Sequence, residues 1–143
     1  MTGESSDPGG GAGDDSPLGL GLRFALEPRD GRTPLLVASF RPDDRHRGAP
    51  GFLHGGVGAT CLDEAMAAVG FALDRVHTVT ALLNLRYRQP VPLDGSALRV
   101  EAWRDRAEPR RQQRVRGRIL LPDGTVAVEA TGVFVQARLR ARA

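Results

Sequence analysis

Lysine is absent from this 143-residue chain, and all 20 basic side chains are arginine. Schiff-base chemistry and a P-loop lysine are therefore excluded. A single cysteine, Cys61, rules out an intramolecular disulfide and any Cys-rich zinc site. Aromatic residues make up only 5% of the chain, with one Trp and one Tyr. That scarcity argues against a reader of single-stranded nucleic acid, which needs stacking platforms, and no zinc-finger or RNP-like pattern is present. The longest uncharged run, Gly48 to Leu62, is too short and too Gly-rich to span a bilayer. No charged-then-apolar secretion signal opens the sequence, so the expected location is cytoplasmic.

The charge is unevenly spread. Residues 1–20 carry four acids and no base, whereas Arg99 to Ala143 carry 11 Arg against 5 acids. A basic surface of this kind favours phosphate-bearing small molecules or acidic proteins. The length suits one domain with one core. Residues 1–17 are rich in Gly, Ser, Asp and Pro, so they read as a disordered tail before a domain at 18–137, and 138–143 read as a basic terminal tail.

Leu22 to Glu27 and Leu35 to Phe40 are strand candidates around the turn Pro28-Arg29-Asp30-Gly31, followed by a polar loop from Arg41 to Leu53. From Gly55 to about Leu73 the period becomes helical, with Leu62, Met66, Val69 and Leu73 on one apolar stripe. Asp63 falls at the border of that stripe, and Glu64 should point to water. His46 and His77, in or beside loops, read as surface residues. Four strand-like segments follow: Thr78–Arg88, Ala97–Arg106, Arg110–Leu121 and Thr125–Gln136, the last pair joined by the hairpin signal Pro122-Asp123-Gly124. Strict alternation along Thr78–Arg88 puts Val79, Ala81, Leu83, Leu85 and Tyr87 on one face. Thr78, Thr80, Leu82, Asn84, Arg86 and Arg88 lie on the other. Short connections imply an α+β fold, an antiparallel sheet with one long helix packed on one face.

His54-Gly55-Gly56 stands at the helix entrance. The first amides of a helix have no intrahelical acceptor, and the helix dipole adds positive charge there. Glycine admits a ligand oxygen, so the turn can serve as an oxyanion hole. Asp63, about two turns later, can deprotonate water or attack as a nucleophile. Each feature alone also fits an ordinary helix start and a solvated carboxylate.

Together, His54-Gly55-Gly56-Val57-Gly58-Ala59-Thr60-Cys61-Leu62-Asp63-Glu64 and Val79-Thr80-Ala81-Leu82-Leu83-Asn84-Leu85-Arg86-Tyr87-Arg88-Gln89-Pro90 resemble the hotdog-fold acyl-CoA thioesterases of the 4-hydroxybenzoyl-CoA and phenylacetate-pathway type. The resemblance covers about residues 20–136. It implies an antiparallel sheet wrapped around one central helix, and hydrolysis of an acyl-CoA thioester without a metal or a cofactor other than the coenzyme A of the substrate.

It further implies Asp63 as general base or nucleophile, the Gly55 N–H as the group polarising the carbonyl, His54 orienting that turn, and Thr80 holding the attacking water. Arg86, Arg88, Arg110 and Arg111 would contact coenzyme A. It implies a homodimer or a dimer of dimers, with Asp63 and Gly55 of one site on different chains, and no nucleic acid or membrane partner. An acyl carrier protein as substrate, or a non-catalytic acyl-CoA-binding module, are the alternatives. One departure stands out: Gly48-Ala49-Pro50-Gly51 fills the loop where some relatives carry a carbonyl-binding Asn.

Overall fold

The computed structural model describes residues 20–138. The tail expected at 1–17, and all of the basic terminus but Arg138, lie outside the described residues. Six strands and one long helix follow in the order β1 (Ala25–Arg29), β2 (Arg32–Phe40), α1 (Gly55–Asp74), β3 (Thr78–Tyr87), β4 (Leu98–Trp103), β5 (Gln112–Leu120) and β6 (Val126–Gln136), with a short 3₁₀ turn at Asp44–His46. The strands form one antiparallel sheet in the order β1-β2-β4-β5-β6-β3. The helix packs across five of them, β2 to β6. This is the sheet-around-helix architecture that the resemblance implies.

The helix builds the core. Leu62, Met66 and Val69 are fully buried along the expected stripe, flanked by Cys61, Ala65 and Ala68. Each such large apolar side chain contributes about 1.5–3 kcal/mol when removed from water. Ala and Gly along α1 keep the helix slim, so the sheet comes close. At Gly117 a Cβ would stand 3.0 Å from Met66. α1 is 20 residues long and apolar enough to cross a membrane by length and composition, but its apolar face is the one packed on the sheet. It stops at Arg75, which adopts the left-handed conformation (φ 58) and donates its N–H to Phe71.

The structure departs from strict alternation in β3. Thr80 pairs with Phe134, but Leu82 pairs with Val133, so Ala81 is an extra residue and the strand bulges there. The bulge reverses the facing of everything before it. Thr78 and Thr80 point toward the helix together with Leu83, Leu85 and Tyr87, whereas Val79 joins Leu82, Asn84 and Arg86 on the outer face. The expectation that Val79 lies on the apolar face is thus corrected; it is 56% exposed.

Two further corrections concern charge. Glu64 is half-buried, not projecting freely into water. His46 is buried: its Nδ1 accepts from the Asp43 N–H at 3.0 Å, its ring meets Phe40 edge-on, and its carbonyl accepts from the His54 N–H at 2.8 Å. It therefore anchors the loop that leads into α1. His77 is exposed, as expected.

On the outer face, the buried Glu101 carboxylate accepts from Arg99 Nε and Arg118 Nε at 2.6 Å each, and Arg99 also reaches Glu27. Burial alone raises the Glu101 pKa, but the two guanidinium hydrogen bonds outweigh it and hold the carboxyl below its usual range. A depressed carboxylate stabilises the fold above its unfolded pKa, about 4.3, and that contribution disappears as pH falls through the folded value. Glu101→Gln should therefore flatten the loss of stability below about pH 4.5, read from urea midpoints across pH. An acid limb as steep as wild type would contradict this. Gly132 offers a packing test, because a Cβ there would stand 2.8 Å from the Leu82 carbonyl oxygen and 2.9 Å from Phe134. Gly132→Ala should cost about 1–3 kcal/mol in urea unfolding at unchanged m, because backbone has to shift.

Candidate active site

The helix and the edge strand β3 run antiparallel and are joined at three points. Near the strand start, Thr78 Oγ1 donates to the Ala67 carbonyl at 3.3 Å. Next, Thr80 Oγ1 donates to Asp63 Oδ1 at 2.6 Å. At the far end, the Tyr87 hydroxyl donates to the Gly55 carbonyl at 2.6 Å. The expected site residues Asp63 and Thr80 are therefore brought into contact, and the bulge at Ala81 is what turns Thr80 inward from the face that alternation gives it.

Asp63 is half-buried on the border of the helix stripe, and no cation pairs with it among the described residues. A carboxylate with one hydroxyl donor and no neutralising arginine keeps acceptor lone pairs for a water. Because the Thr80 hydroxyl hydrogen is committed to Asp63, its oxygen can hold a water only as an acceptor.

The helix N-terminus is arranged by His54. Its Nδ1 accepts from the Gly56 N–H at 2.8 Å, and its carbonyl accepts from Val57 and Gly58. These three bonds occupy most of the first-turn donors. Among the described residues the Gly55 N–H is left without an acceptor, and it sits at the positive end of a 20-residue helix. A cavity of about 350 Å³ opens here, lined by Leu53, His54, Gly55, Gly58, Tyr87 and Val91 among others. Burial raises the Tyr87 pKa, so its hydroxyl stays protonated and continues to donate. Tyr87 was not among the expected site residues. Its place as the last inward residue of the strand could have drawn notice, but its bond to Gly55 depends on the tertiary packing.

Asp63 and Gly55 are not brought together within one chain. Eight helical residues at 1.5 Å each separate them by about 12 Å along the axis. The arginines divide likewise. Arg88 is ion-paired to Glu129 at 2.5 Å near the Gly55 end of β3, and Arg86 lies on the outer face. Arg110 and Arg111 are exposed in the β4–β5 loop at the opposite end, where the Arg111 carbonyl accepts from the Gln136 N–H beside Thr78. The loop without Asn, Gly48–Gly51, is a tight turn closed by Gly48 and Phe52 N–H bonds.

The thioesterase superfamily matches residues 50–128 of the chain. Acyl-coenzyme A thioesterase THEM4 of Bos taurus is 30% identical over 119 residues, which are 82% of this chain and 47% of that protein. The chain thus spans about half the length of this curated relative. A crystal structure of a thioesterase superfamily protein superposes with TM-score 0.71 at 27% identity, over 92% of this chain and 63% of that one. The BH2602 protein from Bacillus halodurans, solved with CoA, superposes with TM-score 0.69 at 26% identity, over 85% and 77%.

The capping role of His54 has a direct measure. His54→Ala removes the acceptor for the Gly56 N–H and should lower stability by about 1 kcal/mol, the usual cost of losing an N-cap side chain. Equal urea midpoints for the variant and wild type would show that the imidazole does not cap the helix.

Proposed function

The chain belongs to the thioesterase superfamily, and from that premise we propose that it hydrolyses an acyl-CoA thioester at a site shared between two copies of the chain. The observation that carries this reading is the separation of its two chemical halves along one helix. A carbonyl in reaction needs an oxyanion donor and an attacking oxygen both within about 3 Å. With Asp63 and Gly55 about 12 Å apart, one chain cannot supply both.

The fold supports a remedy. β3 is an edge strand of 10 residues, its outer hydrogen-bonding groups unpaired within the described chain. Antiparallel pairing of two β3 edges about a two-fold near Leu83 and Asn84 sets the Thr80 end of one strand beside the Tyr87 end of the other. Because α1 runs antiparallel to β3, Asp63 of one subunit then faces Gly55 of the partner subunit. The same operation carries Arg110 and Arg111 toward Arg86 and Arg88 of the partner subunit, so basic side chains gather at each end of the seam for the coenzyme A phosphates.

The chemistry follows from the groups. The thioester oxygen takes the Gly55 N–H of the partner subunit, where the helix dipole favours developing negative charge. Asp63, oriented by Thr80, draws a proton from a water that attacks the carbonyl carbon. The tetrahedral intermediate collapses with loss of the thiolate, which takes up the proton to give free coenzyme A and the acid. Direct attack by Asp63, through an anhydride that water then opens, uses the same groups. A second reading, hydrolysis of an acyl group on an acyl carrier protein, draws on the exposed Arg106, Arg110 and Arg111, for which no acidic partner is found among the described residues. Turnover of one acyl group on both carriers separates the two.

Asp63→Asn should lower thiol release from acyl-CoA by about 10²–10⁴-fold while the Kd for acyl-CoA is retained. Gly55→Pro is the matching deletion. Proline is favoured at the first helical position, and His54 before it already has the extended backbone (φ −63, ψ 132) that a following proline requires. It removes the N–H and should cost about 10²–10³-fold. If the site is shared, mixing and re-annealing the two inactive variants should restore about a quarter of wild-type activity, since half the dimers then hold one intact site. No recovery from mixed dimers of demonstrated composition would overturn the shared site.

A further inference from the structure

Arg104 is 2% exposed, lies just beyond the end of β4, and forms the floor of a cavity of about 320 Å³ that Arg106, Arg110 and Arg114 also line. Its guanidinium spends all its donors inward. Nη1 and Nη2 grip the Asp74 carboxylate, Nη1 also donates to Gln113 Oε1 at 3.1 Å, Nε donates to the Arg106 carbonyl at 2.8 Å, and Nη2 donates to the Ala107 carbonyl at 2.8 Å. Gln113, also buried, passes the hold onward through its Nε2 to the Arg110 carbonyl at 3.1 Å. Three carbonyls of the 105–111 loop are thereby fixed from beneath, although the loop has no regular structure and every one of its side chains is exposed.

Stability alone gives a poor account of this arrangement. Burying an ion pair incurs a desolvation cost that its attraction often fails to recover, and apolar replacements of similar volume are commonly neutral or better. Asp74 is moreover the last residue of α1, where a carboxylate opposes the helix dipole. What the pair does achieve is geometric. It ties the β4–β5 loop to the end of the helix that carries Asp63, so Arg110 and Arg111 keep a fixed position relative to that carboxylate. A planar five-donor fork suits such a hub better than an ammonium.

We propose that Arg104, clamped by Asp74 and relayed by Gln113, is a positioning residue that holds the Arg110–Arg111 loop in register for the phosphates of coenzyme A. This rests on the acyl-CoA reading above. The test compares an acyl-CoA with the N-acetylcysteamine thioester of the same acid, which presents the same carbonyl and no phosphate. In Arg104→Gln the KM for acyl-CoA should rise about tenfold and lose most of its salt dependence, with kcat within about twofold and the KM of the phosphate-free thioester unchanged.

The double variant Arg104→Met with Asp74→Leu removes the buried charges together. It should fold with an unchanged circular dichroism spectrum and show the same split, which a general loss of packing would not produce. An unchanged KM for acyl-CoA in the folded double variant, or equal rises for both thioesters, would overturn the inference. Wild type inert toward both thioesters would instead overturn the acyl-CoA reading on which it stands.

Discussion

The helix lies antiparallel against an edge strand that has no outer neighbour among the described residues, and is fastened to it at its first residue and along its middle. Thr78 and Thr80 hold the middle of α1, and Tyr87 holds its first residue. The groups proposed for the acyl chemistry sit along this line. The carboxylate of Asp63, the free amide of Gly55 and the cavity beside it all border β3, and none of them is enclosed by the rest of the sheet. Among the described residues no strand pairs with the outer edge of β3. The constraint is one of length: a straight helix cannot fold back on itself, so two groups eight residues apart on it stay about 12 Å apart whatever the side chains do. The proposed two-fold converts that separation from an obstacle into a spacing, since the distance between the two halves in one chain then sets the distance between the two sites of a dimer.

The bulge at Ala81 is the local device that makes this possible. Without the extra residue, Thr80 would face outward, as period-two counting requires, and Asp63 would lack its hydroxyl donor. With it, Thr80 before the bulge and Tyr87 after it both face the helix. Threonine meets the carboxylate at one end, and tyrosine meets the helix entrance at the other. Bulges beside active sites commonly re-aim a side chain in this way. The exposed Val79 follows from the same feature: the reversal puts it on the outer face beside Leu82, which alternation already places there, at 56% and 53% exposure.

Most of the architecture was legible because its signals are local and repeated. The helix boundaries follow from the glycines at Gly55-Gly56 and from four apolar positions at helical spacing, and the strands β4 to β6 follow from turn residues at their ends. The bulge was not legible, since a single inserted residue leaves alternation intact on either side and is set by pairing with β6, distant in sequence. His46 was misread for a related reason. Its polar neighbours suggest a surface loop, but the chain returns so that His54 donates to its carbonyl, and that contact buries the ring. Of the candidate site, Asp63, His54 and Gly55 stand out by spacing and by family resemblance, and Thr80 by the resemblance alone. Tyr87 and Arg104 do not, because each acts on backbone carbonyls that only the tertiary fold brings within reach.

Net charge is a poor guide to where an anionic ligand would bind in this chain, and ion-pair accounting is a better one. The strands are crowded with arginine, but much of that charge is already neutralised. Arg99 and Arg118 share Glu101, Arg116 meets Asp105, Arg88 meets Glu129, and Arg104 is consumed by Asp74. A guanidinium already hydrogen-bonded to a carboxylate must break that bond before it can take a phosphate, so its contribution to binding is the difference between two similar interactions. Arg106, Arg110 and Arg111 have no such competitor among the described residues, and they stand on a loop whose backbone is held by buried donors. Free charge on a fixed frame favours phosphate recognition more than a larger number of mutually paired arginines does, because neither bond exchange nor loop ordering has to be offset on binding.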